Sequence, residues 1–393
     1  MFYKALYISY PRTTASTKSL KQIRLLYLVS NLGTSGPTNQ LYNLIYHLSP
    51  NLFETTLVTL SPEPPLSSWN KFQSLRLKMH SLGLSRVSGV ILNKVRLHRP
   101  LNAVRPDIIH SQGIRSDYLN SRLKQFPNRI ATQRNNPLID YPLLYGKISG
   151  QLMANFHLRL LKHIPQVITC SQSISETNNQ LGLRSKIISN GIRYTPDNRT
   201  SKKEEKLKLR IELGLPASGK LFVWSGPFIP RKMPEIAIKT FNLLQTNSDI
   251  VLCLLGDGPL HESCIRASHS KRIIFKGHVN NVDKYLEAAD GFISTSLSEG
   301  MPNSVLESLA HGVPVILSDI PSHKEILSYS NKAGVLYPLR DAKKLAEIIQ
   351  NTNFTKINSD AARSIITKHL NSKTMSTNYQ NLYFELMKNS ANT

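Results

Sequence analysis

Short, unbroken apolar runs recur along the chain, and each is bounded by polar or glycine-containing turns. In the first half they are Ile23–Val29, Phe53–Leu60, the stretch ending Ile108-Ile109-His110, Ile130–Gln133, Val167–Cys170 and Lys186–Ile188. In the second half they are Leu221–Ser225, Ile250–Leu255, Arg272–Val279, Gly291–Ser296 and Val313–Leu317. Runs of this length without alternation read as strands buried on both faces, the habit of parallel sheets. Between them the apolar spacing turns helical. Leu41, Leu44, Ile45 and Leu48 share one face of a helix over Thr38–Leu48, and similar patterns cover Val87–Val104, Asp341–Ile349, Thr355–His369 and Ser372–Met387. Strand and helix therefore alternate in both halves, predicting an α/β protein built from doubly wound sheets.

At 393 residues the chain is too long for one ordinary core. The polar stretch Thr195–Lys203 divides it. The pattern predicts a mobile tail over 1–21, a first domain over 22–192, a linker over 193–204 and a second domain over 205–371, then a helical segment over 372–393.

One turn concentrates the candidate chemistry. Glu299-Gly300-Met301-Pro302-Asn303-Ser304-Val305-Leu306-Glu307 joins a predicted strand to a short helix that Gly312 stops. Ser304 and Glu307 have the spacing of a capping box, which would give Glu307 only the task of starting a helix. The same helix start would offer free N–H groups and a positive dipole end to an anion such as phosphate. Local geometry leaves both readings open.

Two glutamates separated by seven residues, Gly-x-Pro after the first and Gly312-Val313-Pro314-Val315 at the helix end resemble the signature of glycosyltransferase family 4. The resemblance extends to Gly256-Asp257-Gly258-Pro259, to Asn190-Gly191, and to Pro106-Asp107-Ile108-Ile109-His110. It implies the GT-B fold: two Rossmann-like domains facing a cleft, with the last helix crossing back to the first domain. It also implies a retaining enzyme that takes a sugar from a nucleotide-sugar and needs neither metal nor other cofactor.

By that resemblance Glu299 contacts the donor sugar and Glu307 the ribose, while the backbone of Gly300, Met301, Asn303 and Ser304 faces the diphosphate. Lys232 stands at the family's spacing from Gly226, His278-Val279 falls where the base is read, and His110 is a cleft residue. Gly36 matches one glycine of the first loop. Two departures matter. Pro227 stands where the family has arginine, leaving Arg231 beside Lys232 to supply that charge, and Gln112 stands where a second histidine is common. These departures keep a non-catalytic nucleotide-sugar-binding subunit open as an alternative, beside another GT-B enzyme such as an epimerase. Arg134, at the end of a first-domain strand, is a candidate for an acceptor phosphate.

Charge changes the picture in one respect. The net charge is +24, and residues 1–190 hold 23 Lys and Arg against 6 Asp and Glu. A solvated basic face and an anionic membrane surface account for this equally well. Nucleic acid fits less well, because no zinc-finger or recognition-helix pattern accompanies the basic run. No apolar run reaches membrane-spanning length. The three cysteines lack metal spacing and fall in or near apolar segments, as buried thiols of a reducing compartment do. With the family resemblance, these features point to a cytoplasmic enzyme, peripheral on the inner membrane face, acting on a glycan or polyprenyl-linked acceptor in bacterial surface polysaccharide synthesis.

Overall fold

The computed structural model describes residues 21–84, 97, 99–194, 203–244, 249–351 and 358–391. The expected tail, all but Lys21, lies outside these residues. So does most of the helix expected over Val87–Val104.

The described residues form two all-parallel sheets. The first contains β1 (Ile23–Val29), β2 (Phe53–Thr59), β3 (Lys78–Ser81), β4 (Ile108–Gln112), β5 (Arg129–Gln133), β6 (Gln166–Thr169) and β7 (Lys186–Ile187), in the order β3-β2-β1-β4-β5-β6-β7. The second contains β8 (Lys220–Ser225), β9 (Ile250–Leu255), β10 (Ile273–Phe275), β11 (Gly291–Ser294), β12 (Val315–Ser318) and β13 (Gly334–Tyr337), in the order β10-β9-β8-β11-β12-β13. Helices cover both faces, so strands such as β9 are buried at every residue and read as continuous apolar runs. The architecture is that of the GT-B fold.

In each sheet the strand order reverses once, between β1 and β4 and between β8 and β11. Chains leaving neighbouring strands at such a point diverge to opposite faces and leave a crevice beyond the strand ends. The two crevices face each other. One is formed by the turns after Val29 and Gln112, which pair in register, and the other by the turns after Ser225 and Ser294.

The chain crosses between the domains twice, and the crossings are bonded to one another. Ile192 N–H donates to Leu370 O at 3.0 Å and Ser372 N–H donates to Ile192 O at 2.9 Å. A Cβ at Gly191 would lie 2.4 Å from Asn371 O, so only glycine lets these backbones approach. The second domain opens with a helix at Lys203, within the segment expected to be linker. The last helix, Ser372–Ala391, returns to the first domain and buries Met375, Tyr379, Leu382 and Tyr383 in its core.

Candidate active site

The facing crevices enclose a cleft of about 1240 Å³. On the second-domain wall, β8 ends at Ser225 and the chain turns through Gly226 and Pro227 into a single 3-10 turn, Pro230–Lys232. Two bonds from the turn after β11 hold it: Leu297 N–H donates to Arg231 O, and Thr295 Oγ1 donates to Lys232 O, both at 2.8 Å. A Cβ at Gly226 would sit 3.4 Å from Lys232 Cε, so the glycine leaves room for that side chain to lie along the loop.

Both cations converge on Glu299. Lys232 Nζ lies 2.6 Å from Oε1, which also accepts from Ser296 Oγ at 2.8 Å. Arg231 Nη1 donates to Oε2 at 2.7 Å and to Ser298 O at 2.8 Å. The Glu299 side chain is 6% exposed. Burial alone would raise its pKa, but Arg231 and Lys232 outweigh it and hold the carboxyl well below the usual range. Burial opposes the charge of Arg231 too, yet Glu299 and Asp140 leave its pKa raised. The pair is therefore no solvated couple at a helix start. It is a buried cationic wall around a fixed carboxylate.

Eight residues on, Glu307 lines the same cleft in a different state. Its carboxylate makes no hydrogen bond or ion pair among the described residues, and burial, then Asp283, raises its pKa. The expected capping box does not form. The helix here, Asn303–Ala310, takes Pro302 as its cap with an extended backbone (φ −72°, ψ 115°), and no side chain caps it. Ser304 is thus the second helical residue, past the position from which a serine can cap. The amides of Asn303 and Ser304 are left without a side-chain acceptor, beside an unpaired carboxylate. At the other end Gly312 (φ +71°) closes a Schellman motif, with Gly312 N–H on Leu309 O and Val313 N–H on Ser308 O, each at 3.0 Å.

The first-domain wall approaches closely. Ser35 caps the helix Gly36–Tyr46, whose first turn accommodates Pro37 without loss because that N–H would be unpaired anyway. Asn303 bridges the cleft, donating to Gly36 O at 3.1 Å and accepting from Gln40 Nε2 at 2.9 Å. Asn190 Nδ2 donates to Met301 O at 2.9 Å, and a Cβ at Gly300 would meet Arg134 O at 2.2 Å. Gly36, Gly226, His278, Val279 and Gly300 through Ser304 all border the one cleft, as does Gln112.

His110 does not. It is fully buried, its Nδ1 2.9 Å from Tyr383 Oη and its Nε2 2.7 Å from Thr132 Oγ1. Burial pushes its pKa down to about 3, so the ring stays neutral and ties β4 to the returning helix. His110 and Gln112 share one face of β4, but Gln112 ends the strand and reaches the cleft, whereas His110 lies two residues back, under the returning helix.

Two cleft groups carried little sequence signal. Asp140, in the helix Pro137–Tyr145, is buried 3.8 Å from Arg231 Nε, and burial raises its pKa. Its one clue is that Asp117 and Asp140 are the only acids between Asp107 and Glu176. Asn190 looks like half of an ordinary Asn-Gly turn, yet it is buried and also accepts from Arg134 Nη1. Arg134 Nε and Nη2 are buried without a partner among the described residues. No cluster of His, Cys, Asp and Glu suited to a metal ion occurs among the described residues.

Comparison with known proteins agrees with this geometry. Residues 34–195 match the model for "Glycosyltransferase Family 4", and residues 219–352 match that for "Glycosyl transferases group 1". The O-antigen biosynthesis glycosyltransferase WclY of Escherichia coli is 24% identical over 376 residues, covering 93% of this chain and 99% of its own. A second Escherichia coli relative, UDP-Gal:alpha-D-GlcNAc-diphosphoundecaprenol alpha-1,3-galactosyltransferase, is 25% identical over 198 residues, covering 48% of each chain. Among solved structures, Anabaena HepE in complex with UDP and glucose superimposes with a TM-score of 0.75 at 16% identity, over 93% of this chain and 100% of that one.

Proposed function

Because the chain belongs to glycosyltransferase family 4, we propose that it is a retaining enzyme that moves a sugar from a nucleotide-sugar to a glycan or polyprenyl-linked acceptor in bacterial surface polysaccharide synthesis. The carrying observation is Glu299, buried and held ionised by Arg231 and Lys232 at the mouth of an uncapped helix, with Glu307 unpaired beside it. A departing nucleoside diphosphate gains negative charge as the sugar bond breaks, and fixed cations in a dry site stabilise that charge most. Arg231 and Lys232 are those cations, aided by the amides of Asn303 and Ser304. The site works without a bound metal on this reading, so chelators leave activity unchanged.

Glu299 Oε2, which accepts only from Arg231, retains a lone pair for a donor-sugar hydroxyl. Glu307 accepts from the ribose hydroxyls, His278 and Val279 border the base, and Gly36 and Gly226 let the diphosphate pass close to backbone. Arg134, with two unpaired donors on the first-domain wall, receives an anionic acceptor group. The contact of Arg231 with Glu299 supports an active enzyme over a binding subunit that lost its charge at Pro227.

The named specificities of the two Escherichia coli relatives support the polysaccharide and lipid-linked readings. The +24 charge supports work at the inner, anionic face of the plasma membrane, and no helix among the described residues is long and apolar enough to cross it. Thermal melts with UDP, GDP, ADP and their sugars test the assignment. One nucleotide series stabilises the wild type, by about 2.7 kcal/mol at 100-fold its Kd. Glu307→Ala loses about 1.5–3 kcal/mol of that binding. Equal affinity in the variant overturns the ribose role.

A further inference from the structure

The first domain carries an apolar ridge that none of the described residues covers. Six of the fifteen exposed large apolar side chains among the described residues fall within residues 139–156: Ile139, Leu144, Tyr145, Ile148, Leu152 and Phe156. They sit on a hairpin of two helices, Pro137–Tyr145 and Lys147–Leu161. Ile148, Leu152 and Phe156 follow one another at four-residue spacing, so they form a single stripe along the second helix. Ile148 and Leu152 are 80% and 65% exposed. The opposite face, with Ala154, Leu158 and Leu161, is packed against the domain. An amphipathic helix turned outward in this way marks an interaction surface.

Charge identifies the occupant. Between Asp107 and Glu176 the only acids are Asp117 and Asp140, both buried, so the ridge has no acidic neighbour on its own stretch of chain. Arg122, Lys124, Lys147, Arg159 and Lys162 from that stretch are all exposed. Apolar residues flanked only by cations match a bilayer with anionic headgroups, where the stripe enters the acyl boundary and the cations meet phosphate. The ridge is also continuous with the cleft, since Leu144 lines both.

We infer that the hairpin 137–161 docks the enzyme on an anionic bilayer, with the mouth of the cleft at the membrane surface. There an acceptor carried on a polyprenyl diphosphate can enter headgroup-first. The inference rests on the lipid-linked reading of the function, but its test does not.

Sedimentation with phosphatidylglycerol-rich vesicles, at low and high salt, is compared for wild type, Ile148→Asn/Leu152→Asn/Phe156→Asn and Lys147→Glu/Arg159→Glu. All five substituted residues are exposed, and melting curves confirm folding. Wild type binds, more strongly at low salt. The apolar triple variant loses binding on the order of tenfold at both salts, and the charge variant loses mainly the low-salt gain. Transfer to a soluble acceptor fragment stays at the wild-type rate in both. Wild type that remains in the supernatant, or a triple variant that binds as wild type does, overturns the inference. So does a wild-type dimer that the triple variant converts to monomer with vesicle binding unchanged, which would make the ridge a contact between copies. Membrane binding without any transfer would instead defeat the catalytic reading.

Discussion

At the scale of single residues, two carboxylates eight positions apart are held in opposite states. Glu299 accepts from three donors and its folded pKa lies below its unfolded value. Its ionised form therefore stabilises the fold above the unfolded pKa, and that contribution is lost only in strong acid as pH falls through the folded one. Glu307 runs the other way. With a folded pKa raised by burial it opposes folding when ionised, and protonation relieves this as pH drops. Donor affinity should accordingly fall as mild acid protonates Glu307, while the Glu299 cluster stays intact. Isothermal titration against pH checks this, and Glu307→Gln should bind more weakly with the acid dependence removed. Glu299→Ala leaves Lys232 buried without its counter-charge and Arg231 with only Asp140, 3.8 Å away, and should cost about 3 kcal/mol in thermal melts.

Which residues line the cleft was partly legible in the chain. Arg231 is adjacent to Lys232, so sequence could nominate it for the charge missing at Pro227. His110 failed as a cleft residue because it lies two residues short of the strand end, where the returning helix supplies a tyrosine to cover it. Asp140 was nearly invisible, since its partner Arg231 lies in the other domain.

At the scale of elements, the helix start at Asn303 does two jobs. It leaves amides open towards the cleft, and the Asn303 side chain closes the first domain onto the second through Gly36 and Gln40. The Ser304-x-x-Glu307 spacing suggested a cap because local pattern cannot tell which residue ends the extended segment. Pro302, already extended, takes that position two residues before Ser304. Gly300 marks a close approach of the domains. Gly300→Ala would place a Cβ 2.2 Å from Arg134 O, so the cleft must open to admit it. Small-angle scattering should show an expanded variant, with kcat/KM reduced about 100-fold, as misplacement by an ångström commonly costs. An unchanged scattering curve and rate would refute the closed geometry.

At the scale of the whole molecule, strand–helix alternation announced two parallel sheets, because continuous apolar runs leave few other folds. Strand order was not legible: the switch points that create the cleft depend on which strands pair, and no single run encodes that. The return of the last helix follows from its burial pattern. Tyr383 meets Tyr27 Oη at 2.8 Å and His110, while Tyr379 meets Thr132 Oγ1 at 3.0 Å. Deleting residues 372–393 would uncover these aromatics and strand polar groups of β1, β4 and β5. Such a chain should lose its cooperative melt or aggregate, whereas a soluble, fully melting truncation would show that the first domain does not need the helix.

The account depends most on Arg231 standing in for the arginine that Pro227 replaced. Single-turnover transfer by Arg231→Ala at saturating donor, with the fold verified by melting and donor binding measured separately, tests this directly. The expected result is a fall in turnover of about 100- to 1000-fold, with donor affinity changed far less. Wild-type turnover in that variant would contradict the central claim.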